Sequence, residues 1–205
     1  VVRRSLAVAR DLRALFPDHQ GPVPVIVHPG GMSYEEPALD GEALLNNLRR
    51  SLDELAAGET PAVPGEESVE LLLENVAPFP WYFGGQWYHN VFVAPEEVAA
   101  FVAERGGRLC FDLSHAQLYC NLTGREVLDF IRTLKPYMAH LHLADSSGTD
   151  AEALQFGEGM TDLPAVMREL ADVDAPVIPE IWLGHLNGGE GFLVGLRRLK
   201  EAIEA

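Results

Sequence analysis

Basic side chains are scarce in this sequence: 15 Lys and Arg stand against 31 Asp and Glu, for a formal net charge of −16. Nucleic-acid affinity comes largely from neutralising phosphates, so DNA or RNA is not the expected partner. Cysteine is scarcer still. Cys110 and Cys120 are the only two, too few for a disulfide framework, which points to a reducing, cytoplasmic setting. Long hydrophobic runs are missing as well. None approaches the roughly 18–20 residues needed to span a bilayer, so no membrane is expected as a partner. The first residues, VVRRSLAVARDLRALF, have charges spaced through them and no small-residue cleavage site. They read as an amphipathic helix rather than a signal peptide. A phosphate-binding loop is absent too. HPGGMSYEEP, after the first apolar run, has neither G-x-G-x-x-G nor G-K-[ST] spacing, which speaks against a nucleotide-binding open sheet.

What remains is an ordinary globular composition, 47% hydrophobic and 22% charged over 205 residues, read as one domain over residues 1–205. Five apolar runs stand out: Val23–His28, Val69–Asn75, Arg108–His115, Tyr137–Asp145 and Ala175–Leu183. All are near-continuous rather than alternating, as suits strands of a parallel sheet covered on both faces. Helical patterns separate them. Asp40–Gly58 opens on Asp-Gly and stops at Gly; Ala94–Gly107 has Pro95 and acids in its first turn. Thr123–Leu134 starts with a capping box, Thr123 and Glu126. TDLPAVMRELAD and EGFLVGLRRLKEAIEA complete the set. Ala57–Ser68 reads as a loop. The class is α/β, a helix followed by five βα units, and the architecture is of TIM-barrel type. A full barrel has eight strands and about 250 residues. Five visible units make this a partial barrel, or one whose first three units lie outside this chain.

The polar residues fall at the strand ends. The five runs close on His28; on Glu74 and Asn75; on Asp112 and His115; on His140, His142 and Asp145; and on Glu180 with His185 beyond. In a parallel barrel those ends share one rim, which carries the active site. Glu74, Asp112, His142 and Glu180 are separated by 38, 30 and 38 residues, so each comes from a different unit and all four can surround one point. Three carboxylates and one imidazole suit a single divalent ion: Mn, Zn, Co or Mg. Without a cation their summed charge would be costly to hold near a core. His140 and His142 share one face of their strand, and His140 reads as a satisfied core histidine or a support to its neighbour. His185, in GHLNGG, reads as a surface or substrate-facing residue. Asp150 and His89 have no strand-end context and carry no assignment.

VIVHPGG, LLLENV, CFDLSHA, HLHLADSSG…FGEG and VIPEIW, between Val25 and Trp182, together resemble the xylose-isomerase-like TIM barrels. That superfamily joins sugar isomerases and epimerases with endonuclease IV. The resemblance implies a metal held by Glu74, Asp112, His142 and Glu180. It implies that His115 contacts substrate in the isomerases, or binds a further zinc in the nuclease, where His28 also matches a ligand. The nuclease's Asp-Arg-His motif is absent from SSGTDAEALQFGEGM, which opposes a three-metal cluster. The arginine that ketose 3-epimerases carry after the metal histidine is also missing, with Gly148 near that place.

The leading expectation is therefore a metal-dependent isomerase or epimerase of a small sugar-like polyhydroxy carbonyl compound. Glu74 and Glu180 would transfer the proton, with His140 and Asp145 supporting the ligands. Trp81 and Trp87, with Tyr82 and Tyr88 in Pro78–Asn90, would stack on the substrate or pack on the rim, and His28 and His185 would face it. Gly157–Met160 would let backbone approach the ligand or make a turn before the next helix. The alternatives are an endonuclease IV-like phosphodiesterase and an inactive barrel with a binding role. An incomplete barrel exposes strand edges, which a second copy of the chain could cover.

Overall fold

The computed structural model describes residues 1–16, 18, 21–34, 36–37, 40–57 and 69–204. Helix α1 (Val2–Leu15) buries Leu6 and Ala9 and leads into strand β1 (Val23–Val27). Next come β2 (Met32–Tyr34), α2 (Gly41–Ala57) and β3 (Val69–Glu74). A hairpin of β4 (Trp81–Tyr82) and β5 (Gly85–His89) precedes α3 (Pro95–Glu104). Strand β6 (Leu109–Asp112) runs directly into α4 (Leu113–Thr123), followed by α5 (Val127–Leu134) and β7 (Met138–Leu143). A second hairpin, β8 (Asp145–Ser147) and β9 (Ala151–Leu154), leads to α6 (Leu163–Glu169), β10 (Val177–Pro179) and α7 (Leu186–Glu204).

The main sheet has the order β1-β3-β6-β7-β10, and every pair in it is parallel. The order follows the chain without reversal, as in a curling barrel and unlike a doubly wound sheet, whose order reverses at a switch point. The sheet is thus a curled partial barrel with helices on its outer face. Side chains alternate along each strand. Leu73, Phe111, Leu141 and Leu143 turn outward to a core shared with Phe101, Phe130, Ile131 and Leu134. Leu72, Cys110 and Ala139 form a smaller cluster with Ile26. Between Leu109 and Cys110 the β6–β7 register slips by one residue. Leu109 pairs with Met138, yet Cys110 pairs with His140 and Asp112 with His142. That bulge sets Asp112 level with His142.

Three local expectations change. The third run is a strand only as far as Asp112, and Leu113–His115 already belong to α4. Asp112 stops the strand by capping the helix, accepting the His115 amide at 2.6 Å. The capping box is not formed. Thr123 is the last residue of α4, donating its hydroxyl to Tyr119 O at 2.8 Å. Gly124, at φ 71°, ends that helix, and Glu126 precedes α5 without a side-chain cap bond. The Thr-x-x-Glu pattern cannot tell a helix start from a helix end; the glycine inside it decides. The helix expected over 161–172 shortens to Leu163–Glu169, capped by Asp162 through Ala165 N–H at 3.0 Å. In α7, Asn187, Gly188 and Gly189 are left-handed, so regular helix starts after them, near the expected Glu190. The sheet of β2, β5 and β4 and the β8–β9 hairpin were not anticipated, their strands being two to five residues long. Most of the expected Ala57–Ser68 loop, with Gly58, lies outside the described residues.

Candidate metal centre

Each strand end delivers one group to a common point. Glu74 closes β3, Asp112 closes β6, His142 lies on β7, and Glu180 follows β10 with its amide on Leu143 O at 3.0 Å. One ligand atom from each of the four lies within 4.8 Å of the others. His142 Nδ1 is turned to both glutamates, 3.1 Å from Glu74 Oε1 and 2.8 Å from Glu180 Oε2. Glu74 is buried, whereas the Glu180 side chain is 52% exposed and borders the cavity.

The electrostatics fit a cation. Burial works to raise the Glu74 pKa, but hydrogen bonds from His142 and His28 prevail and hold the carboxyl well below its usual range. Asp112 is pushed up by burial and by the charges of Glu74 and Glu180, against the pull of His115. Burial disfavours a charge on His142, yet Cys110, Glu180 and Glu74 around it drive its pKa upward. Three carboxylates and one imidazole thus converge where ionised acids stabilise only next to positive charge. That donor set suits a hard or borderline divalent ion.

Neighbouring side chains hold the proposed ligands in place. Asn75, next to Glu74, accepts the Asp112 amide through Oδ1 and donates Nδ2 to Asp112 O, both at 2.9 Å. Its own carbonyl accepts from His115 Nδ1 at 2.9 Å. His115 Nδ1 is therefore protonated, and Nε2 faces Glu152 Oε2 at 3.5 Å. Burial opposes a charge on His115, but Asp112, Glu152 and Glu74 outweigh it and raise the pKa to about 10. His28 Nε2 lies 3.3 Å from Glu74 Oε2, and its ring stands edge-on to those of His115 and His89. His28, Glu74 and His115 form a second group whose ligand atoms lie within 4.8 Å of one another. His140 is buried, edge-on to His142, with Nδ1 3.8 Å from Cys110 Sγ. Asp145 is buried and binds no member of the ligand set; it accepts the amides of Gly157, Gly159 and Thr161 at 2.8–3.0 Å. The close approach in GEGM is thus to Asp145, and a Cβ on Gly159 would stand 2.3 Å from Ser146 O.

A cavity of about 400 Å³ opens over these groups, within the roughly 300–1,000 Å³ range of small-molecule sites. His28, His115 and His185 line it, as do Tyr82 and Trp182. Trp81 is 62% exposed, and Trp87 donates Nε1 to Tyr82 O at 2.9 Å; neither borders the cavity. The aromatic wall is made by Tyr82 and Trp182, and burial with the surrounding carboxylates raises the Tyr82 pKa to about 12. Sequence reasoning passed over three residues: Asn75, Glu152 and His89. Asn75 was visible only as the neighbour of Glu74, and Glu152 sits on a strand too short to signal itself. His89 is buried, donates Nδ1 to Ala77 O at 2.7 Å, and stands beside His28.

Comparisons with known proteins bear on the fold and the family. No curated protein matches the chain. Among solved structures, a D-tagatose 3-epimerase-like protein superposes with TM-score 0.65 at 22% identity, covering 98% of this chain and 70% of that one. An L-ribulose 3-epimerase gives 0.64 at 16%, covering 98% and 68%. A probable 3-DHS dehydratase from Bacillus anthracis gives 0.61 at 14%, covering 97% and 70%. At such identities these likenesses speak for the fold. The sequence model described as "Xylose isomerase-like TIM barrel" matches residues 18–202. The chain belongs to the xylose isomerase-like TIM barrel family.

Proposed function

We propose that the protein is a divalent-metal-dependent isomerase or epimerase of a polyhydroxy carbonyl compound. One observation carries the reading: the ligand atoms of Glu74, Asp112, His142 and Glu180 lie within 4.8 Å of one another, at the ends of four adjacent parallel strands. The sugar epimerases among the similar structures support it. Glu74, Asp112, His142 and Glu180 would hold a Mn, Zn, Co or Mg ion, whose positive charge would acidify a C–H beside a carbonyl. Glu180, half exposed to the cavity, takes or returns that proton at its outer oxygen, and Glu74 serves the opposite direction. His142 Nδ1 faces both carboxylates. His28, His115 and His185 on the cavity wall receive the substrate's hydroxyls.

The test is deuterium incorporation. The metal-loaded protein is incubated with a panel of ketoses in D₂O, and exchange at the carbon beside the carbonyl is followed by NMR. Exchange is expected, and Glu180→Gln is expected to slow it by about 10²–10⁴-fold, the usual contribution of an acid–base group. The His28, Glu74 and His115 group favours a second reading, a phosphodiesterase with a further metal. Cleavage of an abasic-site duplex, with no ketose exchanged, would establish that reading and overturn the first.

A further inference from the structure

A fourth carboxylate faces the cavity from outside the ligand set. Glu152 sits on β9, its side chain 29% exposed, with Oε2 3.5 Å from His115 Nε2. The backbone that presents it is unusual. Ala153 has φ 57°, a conformation uncommon outside glycine. It is held there from two sides: its amide donates to Ser114 Oγ at 3.0 Å, and its carbonyl accepts from Trp182 N–H at 2.8 Å. Ser114 lies in the first turn of α4 and Trp182 follows β10, so the hairpin is tied across the cavity. Backbone in so sparse a region persists where its surroundings over-determine it, and such positions cluster at ligand sites.

The cavity wall is unbalanced in charge. Asp112, Glu152 and Glu180 line it, Glu74 adjoins them, and no Lys or Arg lines it among the described residues. One divalent ion against four carboxylates leaves two negative charges, which only histidines are placed to offset. Resting on the isomerase reading above, we infer that Glu152 selects substrates by charge: it accepts a hydroxyl of an uncharged polyhydroxy carbonyl compound and turns away the phosphorylated or carboxylated counterpart. A hydroxyl can donate to the carboxylate. A phosphate is best held by Arg or Lys, which the wall lacks, and the imidazole of His115 is already turned to Glu152 Oε2.

The experiment uses the metal-loaded full chain as wild type, Glu152→Gln and Glu152→Asp, titrated with inorganic phosphate. Removing one nearby charge is expected to tighten phosphate binding about tenfold in the Gln variant, while the Asp variant stays near wild type. Equal affinity in wild type and Gln variant overturns the inference. So does loss of bound metal in the Gln variant, which would make Glu152 part of the metal scaffold. Deuterium exchange into D-fructose and D-fructose 6-phosphate forms the second arm, and the preference for the free sugar is expected to shrink about tenfold in the Gln variant. If neither sugar exchanges while phosphate binding tightens, the charge filter stands and the isomerase reading fails. If exchange occurs but phosphate affinity is unmoved, the filter fails and the isomerase reading stands.

Discussion

Asn75 carries no charge, yet it joins two strand ends through three hydrogen bonds to Asp112 and His115. Its role follows from a buried position, where every polar group must find a partner. His89 is the contrasting case. Its Nδ1 is satisfied, but Nε2 is buried without a partner among the described residues. Burial lowers its pKa to about 4, against about 6.5 in an unfolded chain. Between those values the unfolded state binds a proton that the folded state refuses. The stability His89 contributes is therefore complete above about pH 6.5 and declines as pH falls toward 4, by up to about 3 kcal/mol. Urea unfolding at pH 7 and pH 4.5 should show a smaller loss in His89→Gln, which keeps a donor for Ala77 O. An identical pH dependence in both proteins would count against a neutral buried His89.

At the scale of the element, the β6–α4 junction decides how the site is built. The strand passes into the helix with no loop, and Asp112 serves both as last strand residue and as N-cap. The two duties can be separated. Asp112→Asn keeps an oxygen for the His115 amide and removes the charge that burial disfavours. The metal-free Asn variant is expected to match or exceed the wild type in stability at pH 8 while binding metal far more weakly. Asp112→Ala should lose both functions, at a cost of about 1 kcal/mol from the missing cap alone. Denaturation midpoints and metal titrations of the two variants check this; an Asn variant as unstable as the Ala variant would rule out the capping role. The junction also accounts for the strand ending three residues before the apolar run does. Leu113, Ser114 and His115 continue an apolar run whose end only a hydrogen bond marks.

For the whole molecule, the metal should act as a staple. Its proposed ligands come from β3, β6, β7 and the end of β10, so an ion bound there would tie four of the five strands together. With free Mn²⁺ or Co²⁺ at 100 times its dissociation constant, the folded state should gain about 2.7 kcal/mol. Thermal melting with the ion and with EDTA should show the higher midpoint in the loaded protein, and coincident curves would argue against a shared site. Among the described residues no helix is long and apolar enough to cross a membrane. The outer edges of β1 and β10 pair with no further strand of the described main sheet.

Five near-continuous apolar runs, their spacing by helices and the acids and imidazoles at their ends were all legible in the chain itself. Such runs report a buried strand locally, and a parallel sheet places all such ends on one side. Which groups meet was decided between strands. Alternation fixes the face a side chain takes but not its height against the neighbour, and one bulge at Leu109 and Cys110 brings Asp112 level with His142. Asn75 as clamp, Gly159 folded onto Asp145, and Glu152 presented by a strained hairpin arise from hydrogen bonds spanning 14 to 40 residues. No periodicity encodes such long-range bonds. They form only when packing brings the elements together and each buried polar group must take the partner within reach.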